Sequence, residues 1–107
     1  MPYIYALRNR TTDLVYYGST KETLKARLRK HKAERMYYLR GKRPYATTSY
    51  QILDCPTAYI ELVEEVRVED RFVREKWWIE NNTCVNRFIP LNDKKEYLRN
   101  YYQAHKV

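Results

Sequence analysis

The sequence predicts a small α+β domain in which a hairpin and a third strand combine with helices. Residues 3–8, 14–18 and 58–66 are rich in Tyr, Ile and Val or alternate in polarity, as strands do. Two longer stretches, which start near residues 20 and 68, have the spacing of helices. The 107 residues are 44% hydrophobic and 32% charged, a length and composition that suit one globular domain.

The first two strands form a predicted antiparallel hairpin. YIYALR (3–8) and LVYYG (14–18) flank the polar residues Asn9 to Asp13. A connection of five residues is common in hairpins of antiparallel strands. We therefore expect these strands to pair with each other directly.

Four residues of the hairpin share one face of the predicted sheet. Alternation places Tyr3 with Tyr5 on the first strand, and Tyr16 with Gly18 on the second, while Tyr17 points the opposite way. Because Gly18 has no side chain, a substrate or another part of the backbone could approach closely there. A tight bend between the strand and the next helix explains the glycine equally well.

Thr20 or Thr23 is suited to cap a first helix, which we expect to end near residue 35 or 40. The segment GKRP (41–44) then breaks the chain. On a helical wheel, Leu24 and Leu28 define the buried stripe of this helix.

Arg27 and His31 stand four residues apart and border that stripe. They could be functional groups, or an arginine whose stem lies along the apolar surface and a half-buried histidine.

The later elements are predicted from shorter patterns. Residues 48–53 (TSYQIL) fit either an extended segment or the start of a helical turn. Residues 58–66 alternate as a third strand, and 68–82 read as a helix that ends at two asparagines. A last, polar helix is expected over 92–104.

Glu75 interrupts the apolar stripe of the helix predicted over 68–82. Phe72 and Ile79 mark that stripe, with Val68 close by, and Glu75 lies between them. An unpaired carboxylate on a packing face costs several kcal/mol or has a raised pKa. We expect a cation beside it, either a side chain such as Arg27 in a structural ion pair or a metal ion.

The net charge of +8 is concentrated in one segment. Residues 21–43 contain ten Lys or Arg residues against Glu22 and Glu34, and the rest of the chain is neutral. Such a segment favours a polyanion as its partner, usually a nucleic acid. The alternative is a solvated helix face.

Several other functions are disfavoured. No apolar run approaches the roughly 20 residues of a transmembrane helix, and MPYIYALRNR does not resemble a signal peptide. Cys55 and Cys84 are isolated, and His31 and His105 lack zinc-finger spacing. We expect an intracellular protein with no membrane partner and no disulfide bond.

The sequence resembles the GIY-YIG endonucleases, which include phage intron homing enzymes, restriction enzymes and excision-repair nucleases. Five elements over residues 3–90 match in order: Tyr3-Ile4-Tyr5, Tyr16-Tyr17-Gly18, Arg27 within ARLRKH, Glu75 within REKWWI, and Cys84-Val85-Asn86 followed by Pro90. The first glycine of the family name is replaced here by Tyr3.

The resemblance implies a three-stranded antiparallel sheet flanked by helices, with a shallow active site across the sheet face. It also implies a metal-dependent endonuclease that hydrolyses DNA phosphodiester bonds. The nuclease domain would cover residues 1–90. Residues 91–107 lie outside the resemblance, and their polar composition predicts a C-terminal helix or the start of a linker or arm.

The resemblance further implies a set of catalytic residues: Tyr5, Tyr16, Arg27, His31, Glu75 and Asn86. Glu75 would be the only protein ligand of the metal, most simply Mg²⁺, with Mn²⁺ as an alternative.

Each of the other five residues has an expected role. Arg27 would hold the scissile phosphate. Tyr5 would position or deprotonate the attacking water, with Tyr16 hydrogen-bonding beside it and His31 as the second candidate base. Asn86 would orient the site near the metal, or simply cap a helix end.

DNA is the expected partner. We expect it to contact residues in and near the basic segment: Gly18, Lys21, Lys25, Arg29, Lys30, Lys32 and Arg35. A transient dimer on DNA, or a DNA-targeting domain that is missing here, would complete the enzyme. The alternatives are a non-catalytic nucleic-acid-binding module on the same scaffold and an RNA-associated protein that stacks its 12 tyrosines on bases.

Overall fold

The structure is a computed structural model that describes residues 1–44, 46–87 and 90. The strands are β1 (Tyr3–Arg8), β2 (Tyr16–Thr20) and β3 (Tyr59–Glu65). The helices are α1 (Leu24–Leu39), α2 (Tyr50–Leu53) and α3 (Arg71–Glu80), and a 3₁₀ turn (Val68–Asp70) precedes α3. The expected helix over 92–104 lies outside the described residues.

The strands form one antiparallel sheet in the order β2-β1-β3. This confirms the predicted α+β fold with a three-stranded sheet and flanking helices. The central strand β1 is buried from Ile4 to Leu7, because helices cover both faces of the sheet. Ala6 packs with Ile79 of α3 on one face, and Tyr5 packs with Ile52 of α2 and against α1 on the other.

The hairpin connection is longer than predicted, because β2 begins at Tyr16 rather than at residue 14. The Asn9 side chain organises this loop. Its Oδ1 accepts hydrogen bonds from the backbone N–H groups of Thr11 (3.1 Å) and Thr12 (2.7 Å). Its Nδ2 donates to the carbonyl of Ile52 at 3.2 Å, which ties the loop to α2. Such turns compete locally with strand pairing.

Helix α1 starts as predicted at an N-cap threonine, and the cap is Thr23. Its hydroxyl accepts a hydrogen bond from the N–H of Ala26 at 3.1 Å. Leu24 and Leu28 are half-buried and pack against the core, while His31 is almost fully buried, with 2% of its surface exposed. His31 is thus the most deeply buried residue of α1, rather than a residue at the border of the buried stripe.

The predicted stripe of α3 is wrong at its N-terminal end, because Phe72 is 47% exposed and Val68 is 61% exposed. Arg71 occupies the position against β2 instead. Its guanidinium donates to Ser19 Oγ (2.9 Å) and to the Ser19 carbonyl (3.1 Å), and lies over the Phe72 ring. Ile79, at the other end of α3, is buried as predicted.

Two further expectations concern the middle of the chain and the membrane. Residues 50–53 form the short helix α2, which decides between the two interpretations of TSYQIL. Over residues 1–44, 46–87 and 90, every helix is too short or too polar to cross a bilayer.

Candidate active site

The hydroxyl group of Tyr5 lies at the centre of a buried hydrogen-bonded chain. Arg27 Nε donates to Tyr5 Oη at 3.1 Å, and Tyr5 Oη lies 2.7 Å from His31 Nε2. Arg27 can only donate, so Tyr5 Oη accepts from Arg27 and its own proton can go to His31 Nε2. In the tautomer that carries the imidazole proton on Nδ1, the order of donation is Arg27 to Tyr5 to His31, and no described residue accepts from Nδ1.

Gly18 makes room for Tyr5. The two residues are partners across β1 and β2, and a Cβ atom on Gly18 would overlap the hydroxyl and Cζ of the Tyr5 ring. Gly18 is buried as a result. The close approach that Gly18 permits is thus made by the Tyr5 side chain, while the expected contact of Gly18 with nucleic acid stays a prediction.

Burial controls the ionisation of His31. It lowers the pKa of His31 from the ordinary 6.5 to about 3, and the positive charges of Arg27 and Lys30 act in the same direction. At neutral pH, His31 is therefore an uncharged acceptor for the Tyr5 proton.

Burial also dominates at Tyr5, where it raises the pKa above the ordinary value of 10 although Arg27 lowers it. The charge of Arg27 is therefore not sufficient to make Tyr5 a phenolate.

Tyr16 lies beside the same histidine. Its ring meets the His31 ring edge-on, with centroids 5.8 Å apart, and the Tyr5 ring does so at 5.7 Å. Burial, and next the negative charge of Glu75, raise the pKa of Tyr16. Tyr16 is therefore a protonated hydroxyl within the electrostatic range of Glu75.

Glu75 is a half-buried carboxylate at the wall of a cavity of about 260 Å³, which Tyr16 and Asn86 also line. Burial raises its pKa, while hydrogen bonding to Ser19 and the charges of Arg71 and Arg27 lower it. Among the described residues, Glu75 forms no ion pair. A structural ion pair with Arg27, the alternative raised from the sequence, is therefore not present there.

The donor set around Glu75 fits a hard divalent ion. No group of three His, Cys, Asp or Glu side chains converges in the part of the chain that the structure describes. Mg²⁺ does not require such a group, because one or two carboxylates commonly hold it together with water and phosphate oxygens. A single carboxylate without an ion-pair partner, on the wall of an open cavity, matches that requirement.

Asn86 braces the edge strand of the sheet. Its Oδ1 accepts from the N–H of Tyr17 (2.9 Å), and its Nδ2 donates to the Tyr17 carbonyl (2.7 Å). It is not a helix cap, since Asn81 and Asn82 bond the last carbonyls of α3. Asn86 therefore fixes the backbone of β2 next to Tyr16 and supports the site indirectly.

Arg71 is a site residue that sequence reasoning missed. It lines a polar cavity of about 310 Å³ together with Arg27, Lys21 and Lys30, and it holds Ser19, which like Arg71 itself lowers the pKa of Glu75. Its position four residues before Glu75, on the same helical face, was the available signal.

The predicted basic contacts are exposed, with one exception. Lys21, Lys25, Arg29, Lys30 and Lys32 are all exposed. Arg35 is half-buried, and its Nε donates to Asp54 at 2.7 Å. Arg35 is therefore already engaged in an ion pair.

Comparison with known proteins adds one finding. A family model described as the GIY-YIG catalytic domain matches residues 1–82. None of the curated proteins and none of the solved structures compared with the chain matches it. The matched range contains the hydrogen-bonded chain, Tyr16 and Glu75, and it ends before Asn86.

Proposed function

Because the chain belongs to the GIY-YIG catalytic-domain family, we propose that it is a metal-dependent endonuclease that hydrolyses DNA phosphodiester bonds. The hydrogen-bonded chain from Arg27 through Tyr5 to His31, next to the carboxylate of Glu75, carries this proposal. In this arrangement Arg27 can bind a phosphate, Tyr5 can hydrogen-bond a water molecule, and Glu75 can bind a metal ion.

Arg27 is the proposed ligand of the scissile phosphate. Its Nε is used by Tyr5, but the terminal nitrogens of a guanidinium can form further hydrogen bonds. Lys21, Lys30 and Arg71 surround the same cavity and add positive charge. A phosphate at this place would therefore be held mainly by charge-assisted hydrogen bonds.

Tyr5 is the proposed partner of the attacking water. Since burial keeps its phenol protonated, Tyr5 would pass its proton to His31 as it accepts one from water. The negative charge of a bound phosphate would raise the proton affinity of His31 above that in the free protein. The relay would therefore operate when the substrate is in place.

Glu75 is the proposed metal ligand. Mg²⁺ is the proposed ion, with Mn²⁺ as the alternative. An ion bound there supplies the positive charge that stabilises the phosphate and the leaving oxygen in the transition state. Glu75 must be ionised to bind it, so metal affinity should fall as the pH falls.

The test is nicking of supercoiled plasmid in Mg²⁺ by the wild type, Glu75→Ala and Glu80→Ala, with EDTA as a chemical control. Glu80 is exposed on the same helix, which makes it a matched carboxylate outside the site. We expect Glu75→Ala to lose at least about a hundredfold in rate, as for other groups that stabilise transition-state charge. Glu80→Ala should keep the wild-type rate.

The proposal fails if the wild type binds the plasmid but cuts it in neither Mg²⁺ nor Mn²⁺. In that case the non-catalytic binding module becomes the better description of this chain.

A further inference from the structure

A second cavity adjoins the candidate active site. It has a volume of about 280 Å³ and lies between α2 and the C-terminal half of α1. Its walls include Tyr38, Tyr50, Gln51 and Asp54. The cavity shares four lining residues with the one that holds Glu75 and Tyr16: Ala46, Thr47, Thr48 and Arg87. The two cavities are therefore neighbours, and we call the one beside Tyr38 the base groove.

The base groove presents an aromatic ring that is held in place. Tyr38 is 36% exposed, and its ring packs on that of the buried Tyr50, with centroids 5.6 Å apart and planes inclined by 38°. One ring therefore supports the other, and Tyr38 keeps ring surface accessible to a ligand. A nucleobase is flat and can stack on such a ring, and this holds for all four bases.

The polar residues of the base groove complement a nucleotide. Gln51 is exposed and offers an amide that can donate to and accept from the edge of a base. Asp54 is an acceptor whose position is fixed by its ion pair with Arg35 at 2.7 Å. Arg87 is exposed and lines both cavities, so it places a positive charge between them, where a phosphate linking two nucleotides would lie.

We infer that the base groove binds one unstacked nucleobase of the DNA strand whose phosphate is held at Arg27 and Glu75. The inference rests on the proposed function and specifies its substrate. A base in a paired duplex cannot enter a concave site between helices without leaving the stack, which costs free energy. The preferred substrate is therefore DNA with unpaired nucleotides next to a duplex, rather than fully paired DNA.

The test measures binding without cleavage, by fluorescence anisotropy of the full chain in EDTA. The three probes are a paired duplex, a fork of the same duplex with two single-stranded arms, and that fork with abasic arms. We expect the wild type to bind the fork about 5-fold to 150-fold more tightly than the abasic fork, the range that stacking of one base provides. Equal binding of the two forks overturns the inference.

Two tyrosine variants locate the base. Tyr38→Ala should reduce affinity for the fork to that for the abasic fork, and Tyr38→Phe should keep the preference because it keeps the ring. Tyr37→Ala is the matched control, since Tyr37 is the adjacent residue of α1, is 51% exposed and does not line the base groove. An equal loss in Tyr37→Ala and Tyr38→Ala would overturn the assignment to this groove.

The binding test and the nicking test fail independently. A fork preference that depends on bases and on Tyr38, in a chain that never nicks DNA, would refute the endonuclease and retain the base groove. Nicking without any effect of abasic arms would retain the endonuclease and refute the base groove.

Discussion

At the scale of single residues, the hydroxyl of Tyr5 is the group on which the proposed chemistry depends. It is the only atom that connects the cation Arg27 to the neutral acceptor His31 in this hydrogen-bonded chain. Its surroundings oppose ionisation, because burial outweighs the charge of Arg27 and raises the pKa of the phenol. A relay that moves a proton in and out of Tyr5 avoids a free phenolate in a buried site.

Tyr5→Phe should therefore lower the nicking rate by about 10²-fold to 10⁴-fold, the range for loss of a positioned acid–base group. The ring would still fill the space beside Gly18, so the fold should be retained. Rate–pH profiles of Tyr5→Phe and His31→Ala, each from single-turnover nicking, provide the measurement. A full rate in Tyr5→Phe would exclude Tyr5 as the residue that handles the water proton.

At the scale of elements, α1 has two faces with different tasks. Arg27 and His31 point to the sheet and complete the hydrogen-bonded chain, while Lys25, Arg29 and Lys32 are exposed. Lys25 and Arg29 are four residues apart, and Arg29 and Lys32 are three apart, so all three lie on one side of the helix. The helix therefore joins the proposed catalytic groups to a positively charged surface suited to DNA phosphates.

We expect DNA binding to weaken steeply with salt, and single Ala substitutions of Lys25, Arg29 or Lys32 to reduce the slope of log K against log salt by about 1 each. The affinity for one duplex, measured between low and moderate salt, gives the slope. Arg67→Ala is the control, because Arg67 is exposed but pairs with Asp70 outside α1. If the three α1 variants had the same slope as the wild type, the DNA would not contact this side of α1.

At the scale of the whole molecule, the core and the candidate site are parts of one structure. β1 is buried on both faces, and one of its core residues is Tyr5 itself. His31 is both the most deeply buried residue of α1 and the acceptor of the Tyr5 proton. Global stability and the state of the site should therefore respond to the same protonation.

The unfolding free energy should fall as the pH is lowered from about 6.5 to about 3. In that window the unfolded chain binds a proton at His31 that the folded chain excludes, since the folded pKa is about 3 and the ordinary value is 6.5. His31→Gln, which keeps a hydrogen-bond acceptor for Tyr5, should reduce the slope by up to about 1.4 kcal/mol per pH unit.

Urea unfolding of the two proteins at several pH values measures this difference. Glu75, whose raised pKa has the opposite effect on stability, is present in both proteins and cancels in the comparison. Parallel curves for wild type and His31→Gln would show that His31 does not carry the acid sensitivity.

Several features could be predicted because they depend on neighbouring residues. The positions of β1 and β3, the Thr23 cap and the break after α1 are set by local patterns, and each appears where it was expected, to within a few residues. The predicted alternation of β3 is not observed, since Glu61 and Leu62 are both exposed. The five family motifs were also recognisable in the sequence, in the order expected for the family.

Other features depend on contacts between residues that are far apart in the chain. The loop before β2 is tied to α2 by Asn9, whose Nδ2 donates to the carbonyl of Ile52, 43 residues away. Asn86 holds Tyr17 across 69 residues, and Arg71 reaches Ser19 across 52. No periodicity in one segment contains that information.

The sequence by itself determined the fold class, the approximate order of strands and helices, and the residues proposed to do the chemistry, because local propensity and motif spacing are written in short stretches. Only the tertiary structure decided how those residues meet. It buried His31 against Tyr5, filled the space at Gly18, left Phe72 exposed and placed the cavity beside Tyr38 next to the one that Glu75 lines. Burial and proximity set pKa values and binding surfaces, and both arise only when distant segments pack together.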